Sequence, residues 1–136
     1  MGRSKTKRDS PKATGLELLK PSPRNPRRIS EAQMASLKKS LTRFGDLGGI
    51  VFNRASGNLV GGHQRVAAFR SDPEAKIVIT EQLDPPDSCG TVAVGFVVVL
   101  GTRHGYRVVE WDSLTESAAN IAANQHGGEF DDEMLA

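Results

Sequence analysis

The chain has 136 residues, 38% of them hydrophobic and 25% charged, which is room for one compact domain with an ordinary balance of core to surface and argues against a two-domain enzyme. Its 18 Lys and Arg stand against 16 Asp and Glu, a net charge of +2 that by itself selects neither an anionic ligand nor a protein partner. One cysteine, Cys89, excludes an internal disulfide framework, and no Cys/His spacing matches a structural zinc site.

The charge is unevenly distributed. Residues 1–13 are basic and poor in core-forming side chains, so they read as a flexible tail, and residues 14–136 as the folded domain. Arginines and lysines continue to Arg28, so residues 1–28 could contact DNA by counterion release, or the tail could be simply solvated. The chain lacks the apolar run of a secretory signal. Its longest apolar stretch, Val92 to Leu100, is too short to span a bilayer, so a soluble cytoplasmic protein with no membrane partner is expected.

Leu16, Leu18 and Leu19 suggest an edge strand leading into Pro21-Ser-Pro23-Arg-Asn-Pro26-Arg27-Arg28, where three prolines stiffen a loop that presents Asn25, Arg27 and Arg28. Ser30-Glu-Ala-Gln33 fits a capping box. Met34, Leu37, Leu41 and Phe44 recur at helical spacing and Gly45 supplies a stop, predicting a helix over 31–44. Ile50-Val-Phe52 and Asn58-Leu-Val60 form a hairpin around Arg54–Gly57. A helix starts at Gly61-Gly-His-Gln-Arg65, and Lys76–Thr80 is a strand. Thr91–Leu100 and Tyr106–Trp111 form a second hairpin joined by Gly101–Gly105. Ser113-Leu-Thr-Glu116 repeats the capping-box pattern before a helix to about Gln125, with Leu114, Ala118, Ile121 and Ala122 on its apolar side. Asp131–Ala136 suits the first turn of another helix. The pattern is α+β: a short mixed sheet with β-hairpins and helices packed to one side.

The sharpest local feature is the glycine pair entering a helix. Gly61 and Gly62 would let the backbone approach a ligand, the first helical amides lack intrahelical partners, and Arg65, His63 and Gln64 add donors, which together suit a phosphate. The alternative is a tight turn with Arg65 on a solvated face. Asn124, near a helix end, could orient a phosphate or metal-bound oxygen or serve in a C-terminal cap. If magnesium is needed, Glu110 and Asp112 share a strand face by two-residue spacing. Tyr106 and Trp111 read as packing residues, and His104 as a surface donor in a turn.

Taken in order, Pro23-Arg-Asn-Pro26-Arg27, Leu37–Gly45, Leu59-Val-Gly-Gly-His-Gln-Arg-Val-Ala-Ala68, Val108-Val-Glu-Trp-Asp112 and Ala119-Asn-Ile-Ala-Ala-Asn124 resemble the ParB/sulfiredoxin superfamily, specifically the ParB N-terminal (ParB-like nuclease) domain of phage and mobile-element proteins. The resemblance runs from about Leu18 to Ala136. It implies a ParB/sulfiredoxin-like fold and a nucleoside triphosphate ligand, CTP or in some branches ATP, commonly with Mg2+. The turn from Gly61 to Arg65 would be the phosphate cradle, with Asn25 and Arg27 on a loop closing over it and Asn124 as the metal-associated asparagine. The implied setting is a DNA-related process such as plasmid partition, with a homodimer as a further option. His63 stands where ParB proteins usually carry an acidic residue, and Ala123 where a glutamate precedes the asparagine. Both argue against hydrolysis. His63 also occupies the place of the sulfiredoxin nucleophilic cysteine, so sulfinic-acid reduction is not implied. Two alternatives stay open: a non-enzymatic DNA-associated adaptor with a basic N-terminal arm and a vestigial nucleotide site, and a nuclease, NTPase or small-molecule kinase.

Overall fold

The computed structural model describes residues 15–24 and 29–127. The N-terminal tail, the loop positions 25–28 and the helical turn expected at 131–136 lie outside the described residues. The chain divides into two units, Met1–Ser30 and Glu31–Ala136. In the first, Leu16–Leu18 forms a single 3₁₀ turn in place of the expected edge strand, because the amides of Leu18 and Leu19 bond back to the carbonyls of Gly15 and Leu16 at 3.0 and 2.9 Å.

The second unit is α+β. Helix α1 spans Glu31–Phe44 and ends where predicted, at Gly45, whose φ of +80° and amide bond to the Leu41 carbonyl close the last turn. Strands β1 (Ile50–Asn53) and β2 (Asn58–Gly61) form the first hairpin, followed by the seven-residue helix α2 (His63–Phe69). Strand β3 (Lys76–Gln82), strands β4 (Thr91–Val99) and β5 (Thr102–Val109), and helix α3 (Ser113–Gly127) complete it. The strand order is β2-β1-β5-β4-β3. All neighbours are antiparallel except β1 and β5, which run parallel with Val51 beside Arg107 and Asn53 beside Val109.

The second hairpin turns more tightly than its glycines suggest. Val99 pairs with Thr102, so Leu100 and Gly101 form a two-residue turn with φ of 52° and 79°, and Thr102–Gly105, expected in the connection, continues the ladder. His104 accordingly lies in β5, tilted against the Phe69 ring at 4.5 Å.

The expectation that the helices share one side of the sheet is corrected. Ile50 and Val51 are both buried, and successive strand residues face opposite sides. On one side Val51, Val60 and Val109 pack with Phe44 of α1, Trp111, and Ala119 and Ala122 of α3. On the other, Ile50, Val97 and Val99 pack with Val66 and Phe69 of α2. A strand apolar in both parities requires cover on both faces, and each fully buried Val or Ile contributes roughly 1.5–3 kcal/mol. The face of α3 agrees with expectation in part: Ala122 is buried and Ala118 packs against the same cluster, Ala119 joins them, and Leu114 and Ile121 are exposed.

Helix α3 begins on a different cap from the predicted one. Asp112 accepts the Thr115 amide on Oδ1 at 2.8 Å, and its carbonyl accepts the Glu116 amide. Glu116, expected to complete a box with Ser113, instead accepts hydrogen bonds from Ser56, from Asn58 at 3.0 Å and from Asn53 at 2.6 Å, tying α3 to the first hairpin. Those bonds from Ser56, Asn58 and Asn53 hold its carboxyl below the usual glutamate range. A depressed folded-state pKa gives stability that is complete above the unfolded value and is lost as pH falls through the folded one. Glu116→Gln should therefore lower the melting temperature at pH 7, and the gap from the parent should narrow toward pH 3. A gap independent of pH in thermal melts would show that the charge is not what stabilises this junction.

Candidate functional site

The Gly61–Arg65 segment leaves the sheet at the end of β2. Gly61 pairs with Val51, and a side chain there would meet the carbonyl oxygens of Leu47 and Gly49, each 3.0 Å from a Cβ. Gly62 adopts a left-handed conformation, φ 83° and ψ 21°, and a Cβ would come within 2.9 Å of the Ile50 Cα. Both conditions exclude larger residues. The Gly62 carbonyl accepts the first helical bond, from the Val66 amide at 2.9 Å. The amides of His63, Gln64 and Arg65 precede that bond and meet no acceptor among the described residues. The side chains of His63, Gln64 and Arg65 are exposed and likewise have no hydrogen-bond or ion-pair partner among the described residues.

Beside this turn runs the loop joining α1 to β1. Residues 45–48 of that loop, Leu37, Ser40 and Leu41 of α1, and Ala122 and Ala123 of α3 enclose a hollow of about 210 Å³. The same loop therefore touches the glycine turn through the Leu47 carbonyl and borders α3 where Asn124, which is exposed, follows Ala123. The sequence-predicted Gly61, Gly62, His63, Gln64 and Arg65 form one continuous turn. Asn124 makes no hydrogen bond to that turn. Asn25 and Arg27 lie outside the described residues.

One residue that shapes this region has no signal in its own sequence neighbourhood. Arg107, on β5 opposite Val51, donates Nε to the Thr91 hydroxyl at 2.8 Å, Nη1 to the Asp46 carbonyl at 3.0 Å and Nη2 to the Phe44 carbonyl. Its guanidinium also lies over the Trp111 ring, 5.6 Å from the centroid. Burial lowers its pKa, opposed by Cys89, Asp87 and Asp46. A guanidinium remains charged under such a shift, so it serves as a fixed clamp on the C-terminal carbonyls of α1 and on the loop that follows.

The two carboxylates considered for magnesium are engaged elsewhere. Glu110 pairs with Arg54 at 2.6 Å, and Asp112 caps α3. Among the described residues no group of three His, Cys, Asp or Glu side chains gathers as a metal site would require, and no helix is long and apolar enough to cross a membrane. Cys89 is half-buried, its thiol 3.6 Å from the Thr42 carbonyl. Comparisons with protein-family models, curated proteins and solved structures return no match.

Proposed function

We propose that the chain is a ParB-like domain that binds a nucleoside triphosphate, CTP or ATP, and couples its occupancy to a conformational or partner change in a DNA-related phage or plasmid process. The observation that carries this reading is the left-handed Gly62 turn, followed by three amides without acceptors and an Arg65 guanidinium without a partner among the described residues. A polyphosphate has several anionic acceptors, and backbone amides with a planar five-donor cation are suited to them. Helix α2 has only seven residues, so the donors themselves, and not an extended dipole, supply the attraction.

His63 and Gln64 add donors that can discriminate between ligands. Asn124, which the resemblance makes the metal-associated asparagine, is exposed on α3 next to Ala123 of the hollow beside the shared loop. Glu110 and Asp112, the two carboxylates considered for magnesium, are committed to Arg54 and to the α3 cap and so do not offer a protein-held magnesium site. Ala123, standing where the family usually carries a glutamate, favours nucleotide binding over hydrolysis as the domain's task.

A thermal-shift titration of the protein with CTP and with ATP, each with and without magnesium, tests the reading. A ligand that binds only the folded state should add about 2.7 kcal/mol of stability at a hundred times its dissociation constant. No stabilisation by any nucleoside triphosphate at millimolar concentration would remove it.

A further inference from the structure

The side of the sheet that carries α2 is only partly covered. Next to α2 an open groove of about 570 Å³ runs over the sheet, its walls formed by Ile50, Phe52, Leu59, Val66, Phe69 and Val97. Ile77, on the edge strand β3, extends this apolar surface and is 55% exposed. A concavity of this size and lining is the usual form of a small-molecule site, where a few polar groups fix orientation.

The polar groups at its margin are Tyr106, Arg70, Lys76 and Asp72. Asp72 is already engaged, Oδ1 by the Glu74 amide at 3.0 Å and Oδ2 by the Leu100 amide at 3.2 Å. Glu74 does not line this groove; it lines a separate hollow with Val98 and Leu100, to which Asp72 and Lys76 also contribute. Arg70 and Lys76 have no hydrogen-bond or ion-pair partner for their side chains among the described residues, and the half-buried Tyr106 hydroxyl has none either. The uncommitted groups are thus two cations and a phenol, set around an apolar floor.

We propose that this groove binds a small amphipathic carboxylic acid, its aliphatic body on Ile50, Leu59, Phe69 and Val97 and its carboxylate held by Arg70 and Lys76. The apolar body removes the exposed floor from water, and the carboxylate satisfies the free donors, with the Tyr106 hydroxyl as a third. The groove runs over the sheet and along α2; it adjoins the glycine turn through Ile50 and Val66, but none of Gly61–Arg65 lines it, so the proposal does not rest on nucleotide binding.

The test uses the full chain, amide-resolved NMR, and decanoate and decan-1-ol as probes of equal chain length. Decanoate should give saturable shifts at Val66, Phe69 and Val97 and bind at least about tenfold more tightly than the alcohol. In the Arg70→Gln, Lys76→Gln double variant, both positions exposed, the preference for the acid should vanish while the alcohol still binds. Equal affinity for acid and alcohol in the parent protein, or no saturable shifts, overturns the proposal. So does a concentration-dependent dimer in sedimentation velocity that Ile77→Glu dissociates, since a second copy would then occupy the groove.

Discussion

Arg65→Ala should weaken binding of CTP or ATP at least about tenfold without altering the melting temperature of the nucleotide-free protein. A charge-assisted hydrogen-bonding pair between a guanidinium and a phosphate contributes about 1.5–3 kcal/mol, and each 1.4 kcal/mol is a factor of ten in affinity. Stability is expected to hold because Arg65 is exposed and gives up no partner among the described residues. Arg65→Lys should fall between the two, keeping the charge and losing the planar fork. Isothermal titration of the three proteins separates these outcomes. Affinity that is unchanged in Arg65→Ala would mean that the phosphates, if bound at all, are held elsewhere.

The largest effect on stability is expected at Asn53. This side chain is fully buried at the end of β1. Its amide nitrogen donates to the Trp111 carbonyl at 3.0 Å and to Glu116, and its oxygen accepts from the amides of Trp111 at 3.0 Å and Ala55 at 3.2 Å. Asn53→Ala leaves both backbone groups of Trp111 without their partner in a dry site. Each such loss costs about 1–3 kcal/mol, so a total of about 3 kcal/mol or more and a fall in melting temperature of roughly ten degrees are expected. Asn53→Asp should not rescue it, because a carboxylate cannot donate to the Trp111 carbonyl and would face Glu116. Urea and thermal unfolding of the two variants measure this. A loss below about 1 kcal/mol would mean that Trp111 finds other partners.

What could be read from the amino acids was what neighbours in the chain decide. Helix α1 occupies 31–44 as predicted, since apolar spacing and the Gly45 stop are local. The first hairpin and the start of α3 follow from turn residues and periodicity in the same way. The glycine turn also adopts the conformation that its composition suggests, with Gly62 in the left-handed region. What stayed hidden depends on partners distant in sequence. Glu116 has a perfect local use as a capping residue, yet three donors from the first hairpin claim it, and Asp112 takes the cap. Arg107 has no local signal; the parallel pairing of β5 with β1 sets it where it reaches the last carbonyl of α1. The two-sided burial of the sheet did have a signal, in the unbroken apolar run Ile50-Val-Phe52, since a strand with one solvated face would alternate. Gly101 and Gly105 each could have closed the second hairpin, and only the register of β4 against β5 selects the first.

The parallel pairing of β1 with β5 has a kinetic consequence. Each hairpin closes over a short connection, whereas bringing Ile50 beside Tyr106 requires the intervening chain to fold back on itself. Closure entropy grows with the enclosed length, and contacts distant along the polypeptide slow the search for the native state. Two locally nucleated halves must therefore meet at a single seam, and the rate of self-assembly is set by how fast that seam zips. Asn53, bonded to Trp111 across it, is the clasp at one end.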